Sequence, residues 1–446
     1  MGHYVPHTDD EIAQMLAFLG LSSLDELFVS VPAALRLASG RLDLADGLSE
    51  FDTLAEMSRL ARANTTDLVC FAGAGAYDHD IPSAVTRLAF RSEFVTAYTP
   101  YQPEVSQGVL QALFEYQTLL TRLAGVPIAN ASLYDGATAC VEAMNLATAS
   151  TSRETVWVSR GVHPNWRETM RTYAYGTGHR LVDVDLVDGV TQWPSVDSDE
   201  APGAVLLQYP NYLGCLDDVA AAAGVAKRTG ALLLVAFDPV AAGVLRSPGS
   251  YGADVVVGEG QPFGTPLSFG GPYLGLFACA SEHVRRLPGR LVGETVDVDG
   301  RRAYVTTLRT REQDIRREKA SSNVCTNQTL IAVCCAIQLM WLGTGGLREL
   351  ALRCARGTRY ARESLLAVDG IEPLTGSTPT LREFAVRTPV PATTLVERLA
   401  DDGYLAGVAL GDEYGGKGNG LLVAVTEKRT KDEIDGFVSA MEKAVR

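Results

Sequence analysis

Asp238 closes an apolar run, LLLVAFDP, that reads as a β-strand with a carboxylate at its end. A carboxylate there can hold a cationic ring nitrogen, or it can satisfy nearby backbone N–H groups. The next β-branched run, ADVVVGEG, is followed by Gln261, Pro262, Phe263 and Gly264. An amine at that place could form an imine with a carbonyl compound. A primary amide has no nucleophilic lone pair for it. Amines are scarce throughout: of 39 basic residues only six are lysines, Lys227, Lys319, Lys417, Lys428, Lys431 and Lys443. None lies between Lys227 and Lys319.

A strand-end aspartate with a lysine beyond the next strand is the pattern of pyridoxal-phosphate enzymes. There the aspartate pairs with the pyridine nitrogen and the lysine forms the Schiff base. This chain has the aspartate without the amine, so self-sufficient pyridoxal catalysis is not expected. In NASLYDGATACVEAMN (130–145), Asp135, Gly136 and Thr138 stand at a helix start. Free N–H groups and the helix dipole there suit a phosphate or carboxylate, and an ordinary N-cap reads the same. His163, in SRGVHPNW, and His79, in the Tyr77-Asp78-His79 loop, could meet a ligand or serve the fold. YTPYQPE sets Tyr98 and Tyr101, with Pro100 and Gln102, on a proline-stiffened loop suited to an interface or a pocket. Five basic residues interleave with three acidic ones in 309–319. That reads as a solvated helix face, with an anionic docking patch as the alternative. GxSxG, HExxH, Walker A and metal-spaced His/Asp patterns are absent, and no metal is expected.

The elements that must position these residues follow from periodicity. Strands are expected at Val156–Val158, Leu181–Leu186, Ala204–Gln208, Leu232–Phe237 and Val255–Val257, with helices around 164–174 and 217–229. Such alternation indicates a parallel sheet covered on both faces. Ser106 and Gly125 bracket a helix carrying Leu110, Leu113, Phe114 and Leu120. An apolar helix near 328–342 leads out of this body. Strands near Glu383–Arg387 and Leu421–Val425, and a last helix behind the capping box of Thr430 and Glu433, suggest a smaller α+β domain. The first 60 residues or so read as short helices, capped by Thr8 with Glu11 and by Ser23 with Glu26. The expected division is a helical arm over 1–64, a large α/β domain over 65–340 and a small domain over 341–446.

The 446 residues carry a net charge of −14, with 46% hydrophobic and 21% charged residues. This is the range of a soluble globular enzyme, and an acidic chain is a poor general nucleic-acid binder. The eight cysteines are dispersed without a CxxC pair, as reduced thiols would be. The start lacks a signal peptide's pattern, and the apolar runs fall short of the roughly 20 residues needed to cross a bilayer. A soluble, cytoplasmic protein without membrane contact is expected.

Several motifs together resemble one family. YTPYQPEVSQGVLQALFEYQT (98–118), NASLYDGATA (130–139), VSRGVHPNWRETMRTYAYG (158–176), QYPNYLG (208–214), VVVGEGQPFGTPLSFGGPYLG (255–275) and REQDIRREKASSNVCTNQ (311–328) are similar to subunit 1 of glycine dehydrogenase (decarboxylating). That is the α subunit, or N-terminal half, of the glycine cleavage P-protein. The resemblance runs over essentially the whole chain. It implies the aspartate-aminotransferase-like fold of type I pyridoxal enzymes. It also implies a homologous partner, subunit 2, in a two-plus-two heterotetramer, with pyridoxal phosphate on the partner's lysine and Gln261 at the corresponding place here.

Such a complex releases CO2 from glycine and passes the aminomethyl group to the lipoyl arm of H-protein. The resemblance makes Tyr98–Gln102 a contribution across the subunit interface, Asp135–Thr138 a vestigial cofactor-phosphate loop and Asp238 the pyridine-binding position. The family loop usually reads YDHYIP, whereas Asp80 stands at its fifth place here. Asp80 leaves room for a repurposed paralogue acting on another amino acid, and a non-catalytic scaffold is a further alternative.

Overall fold

Five runs rich in Val, Leu and Ala become parallel strands in a computed structural model. It describes residues 6–37, 44–95, 99–195, 201–268, 270–308, 317, 320, 322 and 324–446. The strands are Thr155–Ser159, Arg180–Val184, Ala204–Tyr209, Leu232–Phe237 and Val255–Glu259. Two more complete a seven-stranded sheet. Gly275–Cys279 runs antiparallel between Val255–Glu259 and Ile128–Ala129, and the order continues through Leu232–Phe237, Ala204–Tyr209 and Thr155–Ser159 to Arg180–Val184. Sequence reading missed the short Ile128–Ala129 and the antiparallel Gly275–Cys279. It also ran the second strand two residues long, because Leu186–Val187 turns away into a separate hairpin.

Alternation along the strands sorts the core into two layers. Val156, Val158, Leu206, Leu234, Ala236, Val255 and Val257 pack with Ala139, Cys140, Ala143 and Met144 of the helix Gly136–Thr151. Trp157, Val205, Leu207, Leu233, Val235 and Val256 face the other way, toward the helices Gln107–Ala124, Val219–Thr229 and Thr329–Leu365. Burial of each large side chain in such a layer contributes about 1.5–3 kcal/mol.

Helix Thr329–Leu365 is long and apolar enough to cross a membrane by length and composition, which sequence reading did not anticipate. Gly343 breaks it with a non-helical φ of 57° and ψ of −173°, while Ala332–Ala336 and Leu339 are buried in the protein's own core. Beyond it, Glu372–Pro373, Glu383–Arg387, Gly420–Ala424 and Val408–Ala409 form a four-stranded antiparallel sheet in that order. The helices Ala392–Asp401 and Lys431–Ala444 pack on it through Leu395, Leu399, Ile434, Phe437 and Met441. Thr430 caps the last helix: its backbone N–H donates to Glu433 Oε2 at 2.7 Å, and Glu433 N donates back to its hydroxyl at 3.2 Å.

The chain divides into two units, 1–66 and 67–446. The first holds the helices Asp9–Leu19 and Glu50–Arg62, and none of its described residues is buried. Thr8 and Glu11 form the expected capping box, and Gly20 ends that helix at φ 70°. Ser23 does not cap as expected. Leu24–Phe28 is a 3-10 turn, and Glu26 instead accepts from Ser22 N at 3.2 Å. Ser106 stands at its N-cap position but makes no side-chain bond to the helix.

Candidate active site

The C-terminal ends of the parallel strands place Gln208, Phe237, Asp238 and Glu259 on one side of the sheet. This is where ligands bind in open α/β folds. There they line a cavity with Gly75, Tyr77, His163, Trp166, Pro262 and Arg382. Its volume is about 30 Å³. Ordinary small-molecule sites run to roughly 300–1,000 Å³. What fills the rest is side chain.

Arg382, just before the strand Glu383–Arg387, reaches in with 5% exposure. Its Nη2 lies 2.9 Å from Asp238 Oδ2, and its Nη1 lies 2.6 Å from His79 Nε2. Its Cζ sits 3.4 Å from the centre of the Tyr77 ring. Burial works against the guanidinium charge, but Asp238 first and then its other neighbours hold its pKa above the ordinary arginine value. The second Asp238 oxygen accepts from Val240 N at 3.0 Å. His79 accepts from Arg382 on Nε2, so Nδ1 carries the proton toward Glu427 Oε2 at 2.7 Å. Burial disfavours the Glu427 carboxylate, yet the bonds from His79 and Asp80 N hold its pKa below the usual value. Cys354 also lies close enough to complete a metal-type trio with His79 and Glu427. Both imidazole nitrogens are already committed, which makes the group a hydrogen-bond relay.

Gln261 is 1% exposed and saturated. Its Oε1 accepts from Tyr77 N at 3.0 Å, and its Nε2 donates to Tyr77 O at 3.0 Å and to Thr265 O at 2.8 Å. The amide thus pairs with the Tyr77 backbone as a strand would. A lysine could not accept the first of these bonds. Glu383 accepts from Ala74 N and from the Tyr77 hydroxyl. Burial pushes its carboxyl up to about 7, and burial together with Glu383 raises the Tyr77 phenol well above its ordinary value.

The helix Gly136–Thr151 begins beside the cavity. Asp135 caps it, accepting from Thr138 N at 2.7 Å while Thr138 Oγ1 accepts from Asp135 N at 3.2 Å. The Gly136 N–H donates to Glu259 Oε2 at 3.0 Å. Glu259 Oε1 accepts from Gln261 N at 3.0 Å and Leu274 N at 2.8 Å. Burial pushes Glu259 up to about 8 against the pull of those donors. Gly136 itself is required: a Cβ would stand 2.4 Å from Trp166 Cζ2.

His163 caps the helix Pro164–Thr177. Its Nδ1 accepts from Asn165 N at 3.1 Å, and its Nε2 bonds Ala74 O at 2.7 Å. Its ring stacks on Trp166 with centroids 5.6 Å apart, and burial lowers its pKa.

A sequence profile of the glycine cleavage system P-protein matches residues 2–441. This chain belongs to the glycine cleavage system P-protein family. It is 47% identical over 436 residues to a probable glycine dehydrogenase (decarboxylating) subunit 1 of Desulforamulus reducens, covering 97% of each chain. The crystal structure of an inhibitor-bound glycine decarboxylase (P-protein) of the glycine cleavage system superposes with a TM-score of 0.92 at 44% identity. That match covers 99% of this chain and 100% of the other. Mouse CSAD, at 16% identity, shares the fold alone with a TM-score of 0.68 over 91% of this chain and 90% of that one. Such neighbours are type I pyridoxal-phosphate proteins, and the mainly parallel sheet agrees with them.

The fold of this P-protein family member implies pyridoxal phosphate. Asp238 is neutralised by Arg382 and the helix-start N–H by Glu259. Gln261 offers no amine, and no lysine is among the lining residues. These residues do not fit the cofactor.

Sequence-selected residues fall into two groups. Asp238 and His163 line the cavity. Gln261, His79 and Gly136 stand one hydrogen bond behind it, with Asp135 and Thr138 at the same helix start. Pro100, Tyr101 and Gln102 do not line it; Pro100 is buried and the other two are exposed. Tyr98 lies outside the described residues, as does most of the 309–323 tract. Asp80 is exposed and not among the lining residues. Sequence reasoning missed Arg382, Glu259, Glu383 and Glu427. The GEGQ run of 258–261 held the one available signal, an acidic residue two before Gln261.

Proposed function

We propose that this chain is the α subunit, without a Schiff-base lysine, of a heteromeric glycine decarboxylase of the glycine cleavage system. The observation that carries the reading is the saturated Gln261 amide, in a family member whose pocket already holds its own side chains. The cofactor sits on a lysine of a separate subunit 2. The complex releases CO2 from glycine and delivers the aminomethyl group to lipoylated H-protein. This chain holds no reacting group of its own. It completes and stiffens the partner's site, and the Tyr98–Gln102 loop is the element offered across the interface. The exposed Tyr101 ring supports that assignment: it is 67% exposed beside Arg290, whose Cζ lies 5.9 Å from the ring centre.

The test is reconstitution. The isolated chain, given pyridoxal phosphate, glycine and lipoylated H-protein, releases no CO2 and forms no aldimine colour. Release begins when subunit 2 is added. A yellow, active, isolated chain would falsify the reading.

A further inference from the structure

The misfit between this pocket and pyridoxal phosphate has a definite form. Three contacts that such a cofactor makes are an acidic partner for its ring nitrogen, helix-start N–H groups for its phosphate and a lysine for its aldehyde. All three places are taken from within. A planar cation, the Arg382 guanidinium, lies against the Tyr77 ring with its nitrogen 2.9 Å from Asp238 Oδ2. A carboxyl group, Glu259, takes the Gly136 N–H at 3.0 Å. The Gln261 amide takes the third place and bonds the Tyr77 backbone. Each occupant resembles what it excludes in shape or polarity.

We propose that Arg382 and Glu259 are built-in occupants of an ancestral ligand site. The guanidinium stands for a pyridinium ring and the carboxyl group for a phosphate, and beneath Arg382 lies a latent site for a planar cation. The proposal rests on the reading of this chain as the subunit without its own aldimine. It adds that the pocket is shut by specific side chains and is not merely short of a lysine.

Those side chains also tie the two sheets together. Arg382 and Glu383 come from the four-stranded sheet, whereas Asp238 and Glu259 end strands of the seven-stranded one. Tyr77 meets both through Glu383 and Gln261. The occupants therefore hold closed a cleft that a ligand would otherwise close.

The experiment uses the full-length chain and two probes, methylguanidinium and pyridoxal phosphate. The wild type binds neither in calorimetry at millimolar concentration. The Arg382→Ala variant has a lower melting temperature, and methylguanidinium raises it again in a saturable way. Adding Asp238→Asn weakens that rescue at least tenfold. Because Arg382→Ala leaves Asp238 unpaired and so threatens folding itself, a second measurement needs no variant. In the wild type, NMR of the Arg382 guanidinium shows separate Nη protons, since bonds to Asp238 and His79 block rotation about the C–N bonds.

Freely rotating Nη groups, or a folded Arg382→Ala chain indifferent to methylguanidinium, would overturn the proposal. So would reversible binding of pyridoxal phosphate to the wild type, which leaves the reconstitution reading standing. A borohydride-trapped cofactor on one of the chain's own lysines would overturn both.

Discussion

Two arginine–tyrosine pairs in this molecule are chemically alike and physically opposite. Arg382 lies 3.4 Å from the centre of the Tyr77 ring, and both residues are buried. Arg290 lies 5.9 Å from the centre of the Tyr101 ring, which is mostly exposed. The first pair sits in a buried network: Asp238 and His79 meet the Arg382 Nη atoms, Glu427 meets His79, and Glu383 and Gln261 meet Tyr77, while the Arg382 Nε is buried without a hydrogen-bond partner. The second lies at the surface, and elsewhere on the molecule large apolar side chains are left in water. Leu88, Phe90, Met340 and Trp341 are exposed, and Trp341 continues the stripe of Val333 and Ile337 out of the core at spacings of four. A pocket occupied from within and apolar surface left uncovered are what a subunit needs if it lends surface to a partner and carries no chemistry itself. The contrast can be broken from either side.

The largest effect is expected at Arg382. Replacing it with Ala strands the Asp238 carboxylate in a buried place, and losing one member of a buried pair costs about 3–5 kcal/mol. Chemical denaturation of the isolated chain measures it. Arg382→Ala combined with Asp238→Asn should recover part of the loss. A cost below about 1 kcal/mol would mean that the pair does not hold the pocket.

A pH series tests the same network without mutation. Glu259 titrates at about 8 when folded and Glu383 at about 7, both against an ordinary 4.5. The folded chain therefore keeps protons that the unfolded chain has released. Their contribution is fully present below about pH 4.5 and is lost as pH rises through 7 and 8. The denaturation midpoint should fall across this window, and Glu259→Gln and Glu383→Gln should each flatten the fall. A profile that rises from pH 5 to 8 and is unchanged by either substitution would show that these carboxyls are not buried with their protons.

The fold was largely legible because its signals are local. Val255–Val257 and Leu232–Phe237 read as buried strands from β-branched and apolar runs, and Thr430 with Glu433 marked a helix start that the structure confirms. Gly275–Cys279 was not legible, since an antiparallel strand slotted between two others has no separate pattern of its own. The site was half legible for the same reason. Gln261 and Asp238 declare themselves by their place after a strand. Arg382 is 144 positions beyond Asp238 and belongs to the other sheet, so nothing near it in sequence announces the pair. Glu26 shows the converse failure: the capping-box spacing from Ser23 was right, but Ser22 made the bond.

Gln261→Lys sharpens the comparison at an intermediate scale. The substitution supplies the missing amine but removes the acceptor for Tyr77 N, a loss of about 1–3 kcal/mol. Because Arg382 and Glu259 still occupy the pocket, borohydride trapping on the isolated variant should find no bound pyridoxal phosphate. A trapped adduct at position 261 would show that the missing lysine alone accounts for the pocket's silence.

The smallest effect on the isolated chain is expected at the opposite pole. Tyr101→Ala removes an exposed ring whose neighbouring guanidinium already bonds Asn327 Oδ1 at 2.6 Å, so stability should move by less than about 0.5 kcal/mol. If the loop is offered to a partner, the same change should weaken assembly with subunit 2 about tenfold, the scale of an aromatic anchor lost from an interface. Turnover per assembled complex separates two roles. A drop there places the ring at the partner's reacting centre, whereas unchanged turnover with weaker assembly limits it to docking. An Ala variant that assembles and turns over like the wild type would leave the exposed pair without a function. The asymmetry between the two arginine–tyrosine pairs would then be an accident of surface packing.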